Sequence, residues 1–398
     1  MKIGILTHYY QSMNYGGMLQ AYALATFLRK KGYDAQQVSY RFSSEPFLPP
    51  QPEKREVPKV GNPLSRLVQR GFRSLNYRLI EKPRQEFYEA YKKKEMSARA
   101  EAFAVFQKQV PHSLEVYDTS NIENCAQHYD ALIAGSDQVW NFDWFNPAFF
   151  LDFPGADVAK IAYAASAGKQ NFSQEEILYL KKTLPDFKAI SAREADLVPV
   201  INQIMNSDAA VQTVDPTLLL SAEDWEEIAS PRLLEDKYVF CYFLYNDSSL
   251  AAVARKFARR HKLSIATIPF AAIEYNEQDI KFGDYRFDGA DPSDFLSLIQ
   301  NAEYVFTDSF HATVFSLLFG KEFVAFPRGD AKGMGSRLAT LTEMFGCPER
   351  FCCEPPEQRY NYMCSISRRK MEGQIVYEDA KRISENFLVQ TLSIKNNN

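Results

Sequence analysis

The chain has five histidines, and His311 interrupts two apolar runs in YVFTDSFHATVFSLLFG (304–320). EYVFT reads as a strand, Asp308 or Ser309 as a cap, and ATVFSLLFG as a helix stopped by Gly320, so His311 falls in the first turn of a buried helix. An imidazole there either packs as a neutral ring or serves as a general acid. The positive end of the helix dipole disfavours imidazolium, and an anion bound alongside would favour it. Arg193 ends the run FKAIS and directly precedes a helix. Its planar fork suits a phosphate or carboxylate, or else closes a salt bridge to Glu194 or Asp196. Gly16 and Gly17 stand where a strand hands over to a helix. Small residues there either let backbone N–H groups approach an anion or make a tight turn with no ligand.

Placement gives these residues their meaning. Four polar loops, NYGG (14–17), GSDQVW (135–140), SAREAD (191–196) and TDSFHA (307–312), each follow an apolar run of the kind that forms a buried parallel strand. All four therefore lie on the ligand side of an α/β sheet, at the strand C-termini. Asn14, Tyr15, Gly16, Gly17, Ser136, Asp137 and Gln138 are accordingly candidate substrate contacts. No loop is a GxGxxG or Walker sequence, so neither a dinucleotide nor a P-loop nucleotide is expected. No cluster of Asp, Glu or His has the character of a metal site, and no metal or cofactor is expected.

The elements that must hold these loops follow an α/β rhythm. KIGILTHYY, a glycine-bearing turn, MLQAYALATFLRKKG and AQQVSYRF make a βαβ unit with Gly32 as the helix stop. After residue 110 the rhythm returns in YDALIAG, AKIAYAASAG, FKAIS and VQTVDPTLLL, the last read as a strand stopped by Pro216. LLEDK (233–237) reads as a linker, and a second series begins with YVFCYFLY. The expected fold is α/β, with two doubly wound Rossmann-like domains facing each other across a cleft. The expected boundaries are 1–232, 233–372, and a C-terminal helix and tail at 373–398 that docks on the first domain.

Composition narrows the classes. At 398 residues one core is too few, and 46% hydrophobic with 24% charged residues is a globular balance. A net charge of −4 gives no general attraction to nucleic acid. The six cysteines form no CxxC pair and MKIGILTHYY is too short for a secretory signal, so a cytoplasmic protein with reduced thiols is expected. Residues 50–110 stand apart as a helical insertion. Between Glu53 and Glu95 there are twelve Lys/Arg against six Asp/Glu, interleaved with Phe72, Tyr77, Phe87, Tyr88 and Tyr91. It is either a solvated insertion or a basic flank facing an anionic lipid-linked or nucleotide-linked acceptor.

Taken in order, NYGGMLQAYAL, AGSDQVWN, YAASAG, SAREAD, VDPTLLL and TDSFHATVFSLLFGKEFVAF resemble the polysaccharide pyruvyl transferases. The resemblance spans the chain except residues 50–110 and the C-terminal tail. It implies a fold similar to the B-type glycosyltransferases. The implied activity moves a pyruvyl group from phosphoenolpyruvate, as co-substrate, onto a sugar, normally as a ketal across two hydroxyls. It also implies that Arg193 and His311 are the essential arginine and histidine and that Ser309 lies beside the donor. Ala312 departs from the pattern, where glycine is common. The partners implied are phosphoenolpyruvate and a sugar or lipid-linked oligosaccharide, with peripheral contact at the inner face of the membrane. The rival reading is a B-type glycosyltransferase using a nucleotide sugar, with Glu343 or Glu349 holding the ribose. A non-catalytic sugar-binding protein is the second rival, and it would have no need of both Arg193 and His311.

Overall fold

The computed structural model describes residues 1–44, 47, 82–155, 158–169, 171–208, 210–245, 247–269, 280–328, 334–366 and 374–393. Most of the expected basic flank, residues 54–81, lies outside them. The first sheet contains β1 (Lys2–Leu6), β2 (Asp34–Tyr40), β3 (His112–Tyr117), β4 (Ala131–Ala134), β5 (Ala159–Ala165), β6 (Phe187–Ala192) and β7 (Val211–Gln212). The second contains β8 (Tyr238–Tyr242), β9 (Ser264–Thr267), β10 (Tyr285–Arg286), β11 (Tyr304–Thr307) and β12 (Glu322–Ala325). Both are parallel throughout, in the orders β3-β2-β1-β4-β5-β6-β7 and β10-β9-β8-β11-β12.

The helices are α1 (Tyr15–Lys30), α2 (Lys82–Gln107), α3 (Gln174–Thr183), α4 (Leu197–Met205), α5 (Ala222–Glu226), α6 (Ser248–His261), α7 (Pro292–Gln300), α8 (Phe310–Leu318), α9 (Met334–Met344), α10 (Pro356–Ile366) and α11 (Gln374–Ser393). Every residue of β4 and β8 is buried, which is why ALIA and YVFCY run apolar without alternation. In each sheet the strand order reverses once, between β1 and β4 and between β8 and β11. A doubly wound sheet binds its ligand outside the strand carboxyl ends at that reversal. This is the two-domain Rossmann-like arrangement expected from the sequence.

Two helices start at those reversals. Helix α1 is capped by Asn14, whose side chain accepts from the Gly17 N–H, and ends before Gly32 at φ +89°. It is apolar and buried almost all round, as a helix wedged between two layers must be. Helix α8 is capped by Ser309 and followed by Gly320 at φ +59°. Two elements depart from the sequence reading. VQTVDPTLLL is a strand only over Val211–Gln212. Pro216 has no N–H for a ladder, and Asp215 instead caps a 3₁₀ turn over Pro216–Leu218. Strand β3, which the sequence reading did not identify, forms the edge of the first sheet. Helix α11 packs where Tyr377 donates to the Leu218 carbonyl at 2.7 Å and Ser384 accepts from the Val214 N–H at 2.9 Å.

Helix α2 joins the two halves. Phe103 and Phe106 are buried in the core with Tyr15, and Arg99 donates to the carbonyls of Pro269 (2.7 Å) and Asp288 (3.3 Å). Glu95 pairs with Arg286 at 2.5 Å. This packing predicts that Phe106→Ala destabilises the protein by about 3–5 kcal/mol in urea denaturation. A cost below about 0.5 kcal/mol would show that α2 is only a solvated insertion.

Candidate active site

The two strand-order reversals face each other across a cavity of about 370 Å³, within the ordinary range of small-molecule sites. The first half supplies Asn14, Tyr15 and Gly16 from the β1–α1 turn and Asp137 and Gln138 from the loop after β4. The second half supplies Tyr242 and Leu244 from the end of β8 and Ser309, Phe310 and His311 from the turn into α8. Most residues proposed from the sequence therefore do converge, although they lie up to three hundred positions apart.

His311 sits against the opposite half. A Cβ on Gly16 would fall 1.9 Å from its Nδ1, so only glycine leaves room for the ring. The space at Gly17 is likewise taken, by the His8 carbonyl oxygen at 2.6 Å from a Cβ there. The close approach made by this glycine pair is therefore to protein atoms. On its other edge, His311 Nε2 lies 3.6 Å from Asp215 Oδ2. The helix dipole is thus not the only charge facing the imidazole.

Asp215, which the sequence reading left out of the site, is the hub. It is almost wholly buried and accepts from Arg193 Nη1 (2.8 Å), Ser136 Oγ (3.3 Å), Thr217 N (3.0 Å) and Thr217 Oγ1 (2.7 Å). Burial alone would raise its carboxyl. His311, Arg193 and the Thr217 N–H outweigh burial and hold it far below the usual carboxylate range. The signal was present in VDPT, since an Asp before Pro at a strand end is a ready cap, but periodicity does not show where the other carboxylate oxygen points.

Arg193 occupies a different place from the one its sequence position suggested. It does not line the cavity but lies behind it, stacked on Phe310 with its guanidinium 4.7 Å from the ring centroid. Its partners are Asp215, Glu194 at 3.3 Å and Asp137 at 3.6 Å. Burial opposes the cation, and these three carboxylates, Glu194 foremost, hold it firmly protonated. The salt-bridge alternative to Glu194 is therefore present. Ser136 also lies behind the wall, its hydroxyl donating to Ala164 O at 3.0 Å as well as to Asp215. Asp137 reaches the cavity from a left-handed backbone at φ +66°, a costly conformation for a non-glycine residue. Tyr15 presents its ring to the cavity while its hydroxyl donates to the Ala290 carbonyl at 2.7 Å. Ser309 accepts from the Ala312 N–H at 3.4 Å.

Cations on the cavity wall come from three arginines that sequence reasoning missed, Arg99, Arg328 and Arg337. Arg337 is the most telling. It is 8% exposed, its Nε has no hydrogen-bond partner, and no carboxylate lies within ion-pair distance among the described residues. Burial and the nearby Arg193 and Arg328 bring its guanidinium down to about 10, with Glu194 and Asp137 opposing. A crowded, buried cation without a paired carboxylate marks a place for an anion. Nothing in MGSRLATL signals this, because α9 follows no strand of the switch point. Glu343 and Glu349, the residues of the nucleotide-sugar reading, do not line the cavity. Among the described residues no group of three His, Cys, Asp or Glu is arranged to hold a metal ion.

A model of the polysaccharide pyruvyl transferase family matches residues 14–330. The chain belongs to this family. The matched region contains both halves of the cavity except Met13, just before its start, and Arg337, just past its end. No curated protein matches the chain. Solved structures with a similar fold include the UDP-N-acetylglucosamine 2-epimerase of Rickettsia bellii, at 12% identity and a TM-score of 0.55 over 98% of this chain and 96% of that one. The UDP-GlcNAc 2-epimerase of Methanocaldococcus jannaschii is similar at 10% identity and a TM-score of 0.57, over 99% and 100%. At such identities these structures share the fold, that of the B-type glycosyltransferases, and nothing about substrate follows.

The site yields two predictions. Arg193→Met leaves three buried carboxylates without their shared cation and should cost about 3–5 kcal/mol of unfolding free energy. A loss under about 1 kcal/mol would show that the network is not structural. Asp308 accepts from the N–H groups of Leu244 (2.6 Å) and Tyr245 (3.0 Å), yet burial raises its carboxyl to about 6 against Arg328 and those bonds. A folded value above the unfolded one means that the native state takes up a proton first as pH falls. The wild type should therefore gain stability relative to Asp308→Asn between pH 7 and pH 5. A gap that is flat or widens the other way would contradict this assignment.

Proposed function

We propose that the protein transfers the pyruvyl group of phosphoenolpyruvate to two hydroxyls of a sugar in a polysaccharide or its lipid-linked precursor, forming a ketal. One observation carries the reading: in a chain of this family, a histidine backed by a buried carboxylate and three arginines share one cavity. Phosphoenolpyruvate has a carboxylate and a phosphate at opposite ends of a three-carbon enol. Guanidinium forks bind such groups by paired charge-assisted hydrogen bonds. Arg337 and Arg99 take the donor's anionic ends, while Arg193 holds the carboxylate network behind them.

In this scheme Asp215 holds the Nε2 edge of His311 as a positioning residue, and Nδ1, the nitrogen beside Gly16 of the cavity wall, carries the reacting proton. His311 gives a proton to the enol methylene carbon, making a methyl group and leaving an electron-poor C2. The first sugar hydroxyl bonds to C2 and returns its proton to His311. The C2–O bond to phosphate then breaks, and the second hydroxyl closes the ketal at C2 while its proton leaves with the phosphate. Two hydroxyl protons are thus accounted for, one in the methyl group and one on phosphate. Arginine holds its proton too tightly to take the histidine's part. Among the described residues no helix is long and apolar enough to cross a membrane. A lipid-linked acceptor would be met peripherally at the inner face, with the basic segment 54–94 as the flank that meets it.

The reading is tested by phosphate release from phosphoenolpyruvate across a panel of lipid-linked oligosaccharides, with acid-labile pyruvate recovered from the product. No release with any acceptor would sink it. His311→Gln should bind the donor within a few-fold of wild type and lose at least ~10²-fold in turnover. Arg337→Met should weaken donor binding by roughly 1.5–3 kcal/mol, about 10- to 150-fold in Kd by calorimetry. Unchanged donor affinity would remove Arg337 from the donor site.

A further inference from the structure

The cavity has a second chemical character at its mouth. Trp144 lies in the 3₁₀ turn Phe142–Trp144 after β4, lines the cavity, and is 49% exposed. Its neighbours Phe142, Phe145 and Phe150 pack ring against ring in a buried cluster, Phe142 stacked on Phe145 and both tilted against Phe150, and Trp144 takes no part in it. An exposed indole is therefore held on a cavity rim whose surroundings could have buried it. Two side-chain amides share the wall. Asn14 Oδ1 is used by the Gly17 N–H at 3.2 Å, and Gln138 Oε1 by Asn141 Nδ2 at 2.7 Å. In both, the oxygen is committed and the NH₂ group has no hydrogen-bond partner among the described residues.

A pyranose ring presents one face of C–H bonds and a rim of hydroxyl oxygens. A flat apolar indole suits the face, and amide N–H donors suit the rim. We propose that Trp144 is the platform on which the acceptor's sugar ring stacks, with Asn14 and Gln138 holding its hydroxyls. The proposal rests on the pyruvyl-transfer reading and assigns the acceptor's half of the same cavity. The arginines and His311 form the donor's half, so the stacked ring would turn its hydroxyl pair toward C2 of the donor.

The chain's other tryptophans, Trp140 and Trp225, are 1% and 0% exposed, so quenching of fluorescence by iodide reports on Trp144. The full-length protein is titrated with the methyl glycosides of glucose, galactose, mannose and N-acetylmannosamine, and separately with uridine. At least one glycoside should protect Trp144 from iodide. Trp144→Phe should abolish most of the quenching without loss of folding. With an acceptor active in the phosphate-release assay, Trp144→Ala should raise the acceptor KM roughly tenfold or more, with the donor KM within about twofold. Trp144→Phe should recover part of that loss. An unchanged acceptor KM in Trp144→Ala overturns the platform, as does protection by uridine alone or by none of the glycosides. Glycoside protection without phosphoenolpyruvate-dependent phosphate release would instead refute the transfer reading and leave the platform standing.

Discussion

One buried carboxylate organises this site. Asp215 comes from a turn after the edge of the first sheet, yet it meets Arg193 from the end of β6, Ser136 from the end of β4 and His311 from the start of α8 in the second half. A carboxylate with almost no solvent exposure must have all its lone pairs met by donors or charges, or its ionised form would be too costly. That requirement ties three loops and both sheets to one pair of oxygen atoms. Thr217 completes the set through its own N–H and hydroxyl, so the 3₁₀ turn is itself part of the demand.

Behind the cavity the charges then form layers. Arg193 is enclosed by Asp215, Glu194 and Asp137, three acids around one base. In front lie Arg99, Arg328 and Arg337 on the wall. A plain count of loop residues would have put the cation of SAREAD at the ligand. The structure uses it as a counter-ion to a carboxylate shell and brings the ligand-facing cations from outside the motif loops, Arg99 and Arg337 from helices and Arg328 from the segment after β12. An anion entering the cavity is opposed by the acids at the back and drawn by the bases in front, which gives a bound anion a preferred depth and orientation.

Much of this was legible in the sequence, for definable reasons. The parallel sheets were readable because buried strands are uninterrupted apolar runs, and the strand-to-loop transitions located Asn14, Asp137, Gln138, Ser309 and His311 on one side of each sheet. The N-cap at Ser309 and the glycine stops at 32 and 320 followed from local backbone chemistry. What could not be read depends on side-chain direction across long separations. Ser136 and Gln138 are two residues apart in one loop, yet one supports Asp215 and the other lines the cavity. Arg337 and Arg99 come from helices that no motif pointed to, and Trp144 follows the strand by ten residues in an irregular turn.

The contact between Gly16 and His311 makes the two halves a matched pair, like a key cut for one lock. The imidazole occupies the volume that any side chain at position 16 would need. The two positions therefore cannot drift separately: a larger residue at 16 requires a smaller one at 311 or a displaced α8. The modular appearance of the fold, two similar sheets joined by a linker, is misleading in this respect. A chimaera that grafts the second half of one such protein onto the first half of another inherits the cleft only if this single notch and its occupant come from compatible parents.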